Sequence, residues 1–334
     1  MTNATQTLAL IFAGTLALAL ATSWSWSTTS SAAFQRDLLA VDTSAVQAVR
    51  LDRSDRTSVQ LKRTSNGWEV TPTDTSASYP ANAQSVRQLL GTLSSLQVSA
   101  VATRQPDKHP QYGVDSTGTT VAMLGEGGET LGKLIVGRTN IRRPQGGQGR
   151  SRMRRRMRRG TPITYVRSPD RPDVYSIEQS LRSLTSRSVE GWRNKQIWAI
   201  SRDNIQRIKF QYPADSSFTM TRVSRSDTSA APDAWVSAGD TLAQSEISSL
   251  LSNLSTPTAQ GFAEGMRPND LGEAPYTIRL QLAGNSRRTL HLRPNPNGNT
   301  YLATAEGYPY VTELRKSTWD RSVLQGRSAF LKNN

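Results

Sequence analysis

Residues 46–70 have the sequence VQAVRLDRSDRTSVQLKRTSNGWEV, and this stretch decides the fold. Its apolar side chains alternate with polar ones, which is the period of a half-buried β-strand. Two apolar groups stand on either side of a polar turn: Val46, Val49 and Leu51, then Val59 and Leu61. The Asn66-Gly67 pair before Trp68 is a strong hairpin-turn signal. The stretch therefore predicts three short antiparallel strands.

The same pattern recurs 159 residues further along the chain. The matched positions are Val46 with Ile205, Val49 with Ile208, Leu51 with Phe210, Val59 with Phe218 and Leu61 with Met220. Each copy then has a tryptophan after a polar turn, Trp68 in NGWEV and Trp235 in DAWVS. Similarity within one chain at a constant spacing indicates a tandem repeat. The chain is therefore interpreted as two copies of one module.

A helical pattern follows the strands in each copy. Apolar residues at i, i+3, i+4 and i+7 share one face of a helix, which favours packing against a core. They are Val86, Leu89, Leu90 and Leu93 in the first copy, and Ile247, Leu250, Leu251 and Leu254 in the second. Asn82 and Asp240 have the residue types of N-caps and are predicted to begin these helices.

A block of strands closes each copy. The matched pairs are Val121 and Met123 with Ile278 and Leu280, Leu134 and Val136 with Leu290 and Leu292, Tyr165 with Tyr301, and Val174-Tyr175 with Tyr310-Val311. The offset falls from 156 to 136 within this block, so the first copy contains 20 extra residues. We expect an α+β fold with an N-terminal transmembrane helix and two tandem antiparallel-sheet-plus-helix modules. The predicted domains are an anchor and linker over 1–35, a first repeat over 36–200 with an insertion at 138–163, and a second repeat over 201–334.

The N-terminal segment is predicted to anchor the chain in a membrane. Leu8–Ala21 has the sequence LALIFAGTLALALA without a charge, and Thr5–Trp24 gives about 20 residues, enough to span ~30 Å of hydrocarbon. No Lys or Arg precedes the apolar run, which favours an uncleaved anchor over residues 7–26. A signal peptide cleaved near Ser31-Ala32-Ala33 and a buried core helix are the alternatives. Lys and Arg are distributed only weakly unequally on the two sides of the span, and by the positive-inside rule this distribution argues against export of the body.

Composition excludes several kinds of site. The chain has no cysteine, so it forms neither a disulfide nor a thiolate metal site. Its two histidines, His109 and His291, are far apart in sequence and no nucleophile motif accompanies them. We predict no catalytic, cofactor-binding or metal-ligating residue. The chain is therefore not expected to be an enzyme.

The basic character of the chain is concentrated in one segment. Arg138–Gly160 holds ten arginines and no acidic residue, and without them the net charge of +15 would be +5. Guanidinium groups bind phosphate and carboxylate. The predicted contacts to an anionic partner are Arg150, Arg152, Arg154, Arg155, Arg156, Arg158 and Arg159. An anionic lipid, an acidic partner or polymer, and a solvated segment without a target all remain open, whereas nucleic acid is not expected.

The order of these features resembles the bacterial family called domain of unknown function 4340. The motifs that carry the resemblance are FQRDLLAVDTSAVQAVRL from Phe34, NGWEV, SVRQLLGTLSSLQV, YGVD at Tyr112, LIVGR, and TYVR followed by DVYSI. The resemblance implies a membrane anchor, an exported body and genes beside ABC-type transporter components related to gliding-motility auxiliary proteins. It implies no catalytic residues, and the arginine-rich insertion departs from the family pattern.

Together these observations predict a non-enzymatic, membrane-anchored auxiliary or scaffolding protein of an envelope ABC-type transport complex. The expected location is the inner membrane, with one membrane-spanning helix and the body in the periplasm. Its expected partners are subunits of that complex. Two alternatives remain open: an envelope hydrolase whose acidic residues converge only in three dimensions, and a module that binds anionic lipid or polymer through the arginine-rich loop.

Overall fold

The computed structural model describes residues 38–39, 41–142, 160–213, 216–223, 233–296 and 298–332. The predicted anchor at 7–26 and the seven predicted arginine contacts between 150 and 159 lie outside these ranges. Among the residues that are described, no helix is long and apolar enough to cross a bilayer.

The described part of the chain contains eighteen strands and six α-helices. The strands of the first half are β1 (Ala48–Asp52), β2 (Val59–Thr64), β3 (Gly67–Pro72), β4 (Tyr79–Pro80), β5 (Ala100–Thr103), β6 (Thr119–Leu124), β7 (Thr130–Arg142), β8 (Thr161–Arg167) and β9 (Val174–Ile177). Those of the second half are β10 (Ile205–Gln211), β11 (Phe218–Val223), β12 (Ala234–Ser237), β13 (Asp240–Thr241), β14 (Gly261–Phe262), β15 (Tyr276–Leu282), β16 (Arg287–Pro294), β17 (Thr300–Ala305) and β18 (Thr312–Arg315). The helices are α1 (Ala83–Ser94), α2 (His109–Tyr112), α3 (Arg182–Thr185), α4 (Val189–Trp192), α5 (Gln244–Ser255) and α6 (Lys316–Ser322).

The strands form two nine-stranded antiparallel sheets with one topology. The first sheet has the order β4-β3-β2-β1-β6-β7-β8-β9-β5, and the second has the order β13-β12-β11-β10-β15-β16-β17-β18-β14. In both halves four strands precede a 12-residue helix and five strands follow it. This correspondence, strand for strand, confirms the predicted internal repeat and the α+β class of the folded part.

Equivalent apolar side chains build the two cores. In the first sheet Val49 pairs with Leu61 on one side and Met123 on the other. In the second sheet Ile208 pairs with Met220 and Leu280 in the same way. All six side chains are buried, because each lies on the inward face of a strand in a half-buried sheet. Trp68 on β3 and Trp235 on β12, and Leu90 on α1 and Leu251 on α5, also occupy equivalent elements.

One predicted match between the copies is wrong by one residue. Val136 pairs with Val166 and its counterpart Leu292 pairs with Ala303, so the offset at the closing strands is 137 rather than 136. The counterpart of Tyr301 is therefore Thr164, which is buried like Tyr301, and not the half-buried Tyr165. By the same offset Val311 matches Val174. A shift of one residue moves a side chain to the other face of a strand, because the side-chain period of a strand is two. The apolar pattern alone did not reveal it.

The predicted N-cap of the second long helix is also wrong. Helix α5 begins at Gln244, its N-cap is Ala243, and no side chain caps it. Asp240 is a strand residue of β13, and its carboxylate is paired with Arg327. In the first copy Asn82 immediately precedes α1, as predicted.

The arginine-rich insertion lies in the β7–β8 hairpin. The ladder between these strands continues outward to the pair of Arg142 with Thr161. Arg138 and Ile163, which the sequence placed inside the insertion, are strand residues. Only residues 143–160 stand between the last paired positions.

The described residues divide into two compact units. The first contains residues up to Ser78 together with Gln84–Ser188, and the second contains Tyr79–Ala83 together with residues from Val189 onward. In the second unit a hydrophobic cluster joins the inward residues of α5 to those of β10, β11, β12, β15, β16 and β17.

Candidate functional site

Two of the sequence motifs meet at one point of the first unit. In YGVD, Gly113 ends helix α2 in the left-handed conformation with φ 65°, which favours glycine at this position. In LIVGR, a Cβ added at Gly137 would stand 2.3 Å from the carbonyl oxygen of Tyr112. The backbone of the Tyr112 turn therefore lies directly on strand β7, and only a glycine at 137 permits this approach.

Four arginines surround this point and define what we call the basic cleft: Arg53 and Arg56 from the β1–β2 loop, Arg138 from β7, and Arg182 from α3. The cavity between them has a volume of about 200 Å³. Its remaining lining consists of glycine backbone, the side chain of Val136, hydroxyl-bearing residues and one acid: Gly113, Gly118, Gly137, Thr117, Thr119, Thr185, Ser186 and Asp55. The cleft thus has four guanidinium groups and one carboxylate.

The single carboxylate is already occupied. Asp55 accepts a hydrogen bond from Arg56 at 2.6 Å, and this bond lowers the pKa of the Asp55 carboxyl. Arg56 also donates to the carbonyl oxygen of Ser186 at 3.1 Å. Arg53, Arg138 and Arg182 form no ion pair among the described residues, although the charges of Asp55 and Asp115 act on Arg53 and Arg138.

Arg53 is the most enclosed of the four side chains. Its Nη2 donates to the carbonyl oxygen of Arg187 at 2.8 Å, while its Nε is buried without a hydrogen-bond partner among the described residues. Burial lowers the pKa of the Arg53 guanidinium, and the nearby charge of Arg56 lowers it further. Arginine stays protonated in spite of this, so the folded chain retains the electrostatic cost of burying the Arg53 charge. An anion bound in the cleft would reduce that cost.

The chemistry of the cleft is that of an anion-binding site. Planar guanidinium groups and hydroxyls donate hydrogen bonds to carboxylate and phosphate oxygens. Among the described residues no group of three or more histidines and acids is arranged to hold a metal ion. The two histidines belong to different units, where His109 contacts the carbonyl oxygen of Pro172 and His291 contacts Thr277.

One described residue of the predicted basic segment lines this cleft. Arg138 begins the segment and lines the cleft, whereas Arg142 pairs with Glu178 at 3.1 Å. Arg53, Arg56 and Arg182 were not singled out from the sequence. The only signal for the first two was the charged turn DRSDR at residues 52–56, which the strand pattern explained as a polar loop.

Comparison with protein families gives one match. The family model described as Domain of unknown function (DUF4340) matches residues 73–145 and 158–279, which is more than half of the chain. The unmatched interval between the two segments falls within the arginine-rich insertion. No curated protein and no solved structure matches the chain. The extent of the family match shows that the chain belongs to the DUF4340 family.

Proposed function

We propose that this chain is a non-enzymatic auxiliary or scaffolding protein of an envelope ABC-type transport complex. Residues 7–26 would anchor it in the inner membrane, with the body in the periplasm. Family membership supports the proposal, because the resemblance implies an exported body and genes that lie beside those of ABC-type transporter components. In this role the chain binds a partner protein, and the observation that supports binding is the basic cleft.

The cleft fits an acidic surface of a partner. Three of its four arginines form no ion pair with any residue that the structure describes, and Arg138 and Arg182 are exposed to solvent. Complementary charge across an interface accelerates association and selects among partners. Arg138 follows Gly137 at a bulge of β7, where the ladder to β6 ends at Val136 and the ladder to β8 shifts its register before Thr139.

Affinity purification tests the complex and the cleft together. The full-length chain would be purified from its native membranes in mild detergent, and the associated proteins would be identified by mass spectrometry. We expect transporter subunits to co-purify with the natural chain. The double variant Arg138→Glu and Arg182→Glu should lose most of them, because it reverses two charges of the cleft.

The matched control is the double variant Lys108→Glu and Lys133→Glu. It makes the same change of charge in the same unit, at exposed positions outside the cleft. If no transporter subunit exceeds background in several detergents, the transport role is wrong. If the subunits remain bound to the cleft variant, the cleft is not the contact surface.

The proposed orientation is tested by protease treatment of spheroplasts. We expect the body to be digested while the inner membrane is intact, since the body would face the periplasm. A body that becomes sensitive only after the membrane is permeabilised would place it in the cytoplasm. An epitope at the N-terminus and another at the C-terminus would distinguish loss of the body from loss of the anchor.

A second function is favoured by the same cleft, namely binding of anionic lipid or polymer. Strand β7 carries Arg138 at the cleft and continues through Arg142 to the arginine-rich insertion. Basic residues near an anionic surface each contribute about 1 kcal/mol. Flotation with phosphatidylglycerol vesicles should then exceed flotation with phosphatidylcholine vesicles, and deletion of residues 143–159 should abolish the difference. Equal flotation of both vesicles would exclude the lipid.

A further inference from the structure

Arg193 is a buried cation of the second unit. It follows helix α4, its backbone bridges to Ala81, and the residue is 7% exposed. Removing a guanidinium from water is costly unless charge partners and hydrogen bonds replace the water. The surroundings of Arg193 therefore determine what this position is suited to bind.

Three aromatic rings enclose the guanidinium, and we call them the aromatic cage: Tyr79, Phe262 and Tyr310. The Arg193 Cζ lies 3.4 Å from the ring centre of Phe262, 4.0 Å from that of Tyr79 and 4.8 Å from that of Tyr310. Each cation–π contact stabilises the charge through the negative face of the ring. Ring faces, however, accept no hydrogen bond in the plane of the guanidinium, where its N–H groups point.

No carboxylate forms an ion pair with Arg193 within the described part of the second unit. Its guanidinium contacts the three rings, and the nearby Glu190 is paired with Lys195 at 3.2 Å. Burial lowers the pKa of Arg193, and Tyr310, Tyr79, Tyr308 and Glu190 partly oppose this effect. A carboxylate bound beside Arg193 would supply the ion pair.

A cavity opens directly onto this group. It has a volume of about 320 Å³ and is lined by Arg193, the aromatic cage and the segment from Ala263 to Met266. Ligand pockets in proteins begin at about 300 Å³ and combine apolar walls with a few polar groups. Glu264 lines the cavity and is exposed, so it adds one negative charge near the opening.

We propose that Arg193 and the aromatic cage bind a carboxylate group attached to an apolar or aromatic body. Arg193 supplies the hydrogen bonds and charge for the carboxylate. Phe262 and Met266 supply an apolar wall for the body. A single arginine beside Glu264 favours a monoanion over a doubly charged phosphate.

Ligand-detected NMR on the full-length chain tests this site with matched probes. N-acetylphenylalanine presents the carboxylate, and its amide has the same body without the charge. We expect the acid to bind at least roughly tenfold more tightly than the amide, since a hydrogen bond to a charged group contributes about 1.5–3 kcal/mol. Phenylacetate and a peptide that ends in Phe distinguish a small-molecule ligand from a chain terminus.

Three variants separate binding from folding. Arg193→Met keeps the length of the side chain and should remove the preference for the acid. Tyr308→Phe is the control: it removes a buried hydroxyl close to the site but outside the cavity lining, so the affinity for the acid should not change. Glu264→Gln should strengthen binding of the acid, because it removes a like charge.

The outcomes that overturn the proposal are specific. Equal binding of acid and amide to the natural chain would exclude a carboxylate site. So would a folded Arg193→Met variant that retains the preference. If Arg193→Met fails to fold, unchanged acid binding in Glu264→Gln would exclude the site instead.

Discussion

At the scale of single residues, the basic cleft depends on Gly137, which has no side chain. Gly137 allows the Tyr112 turn to lie on β7, which brings Arg138 beside Gly113. The sequence showed the motifs YGVD and LIVGR but not their contact, because residues 24 positions apart in two different elements have no local pattern in common. The cleft could be found only once the sheet was known.

We predict that Gly137→Ala destabilises the first unit by about 1–3 kcal/mol, because its Cβ would overlap the Tyr112 carbonyl oxygen. Urea unfolding of the full-length chain would measure the loss. Gly91→Ala is the control, since Gly91 lies exposed within α1 with no atom near its Cβ. That variant should gain about 0.5–1 kcal/mol. Equal effects of the two changes would contradict the close approach.

His291 should make the second unit sensitive to acid. Burial lowers its pKa below the ordinary value of 6.5, and the charge of Arg279 adds to this effect. The unfolded chain then binds a proton at a pH where the folded chain does not, so the stabilising contribution is complete above pH 6.5 and is lost as the pH falls below it. His291→Gln should flatten the fall in stability between about pH 7 and 5.

Thermal unfolding of both proteins across this pH range gives the comparison. His109→Gln, in the first unit, is the corresponding change at the other histidine. An unaltered pH profile in the His291 variant would contradict the role assigned to burial.

At the scale of elements, the helix and strand periods were readable from the sequence and the connections were not. The stripe Ile247, Leu250 and Leu254 is buried as its spacing predicts. Asp240 failed as a cap because Ala238 and Gly239, both with positive φ, turn the chain into the β12–β13 hairpin. Its partner Arg327 is 87 residues away, beyond the range of any local pattern.

Helix α5 provides a test of this burial. Leu250 is fully buried, and Leu251 packs at the margin of the same cluster. Leu250→Ala should cost about 2–5 kcal/mol because it leaves a cavity in the core. Leu251→Ala should cost clearly less. Equilibrium unfolding of the two variants measures the difference, and a larger loss at Leu251 would mean that the helix is rotated from the orientation described.

At the scale of the whole molecule, duplication explains most of what the sequence could predict. Equivalent strands repeat their apolar positions, so each copy supports the interpretation of the other. The β7–β8 insertion is present in one copy only, and there the comparison gave no guidance. The basic cleft and the aromatic cage draw on loops, which explains why neither was predicted.

Replacing residues 143–159 by Asn-Gly should leave the melting temperature within about 2 °C of the natural value. The reason is that β7 and β8 remain paired out to Arg142 and Thr161, where a short turn can close the hairpin. Calorimetry of the two proteins provides the measurement. A substantially lower melting temperature would show that the removed arginines contribute to the fold.

The strand order of the sheets also dictates a sequence of events during refolding. The central ladder of the first sheet joins Leu51 to Val121, 70 residues apart, whereas β2 and β3 are joined by a tight turn. Long loops close more slowly and at greater entropic cost than short ones. In pulsed hydrogen exchange, amides of the β2–β3 and β6–β7 hairpins should gain protection before those of the β1–β6 ladder. Each sheet would then form by the late joining of two preformed halves along its middle.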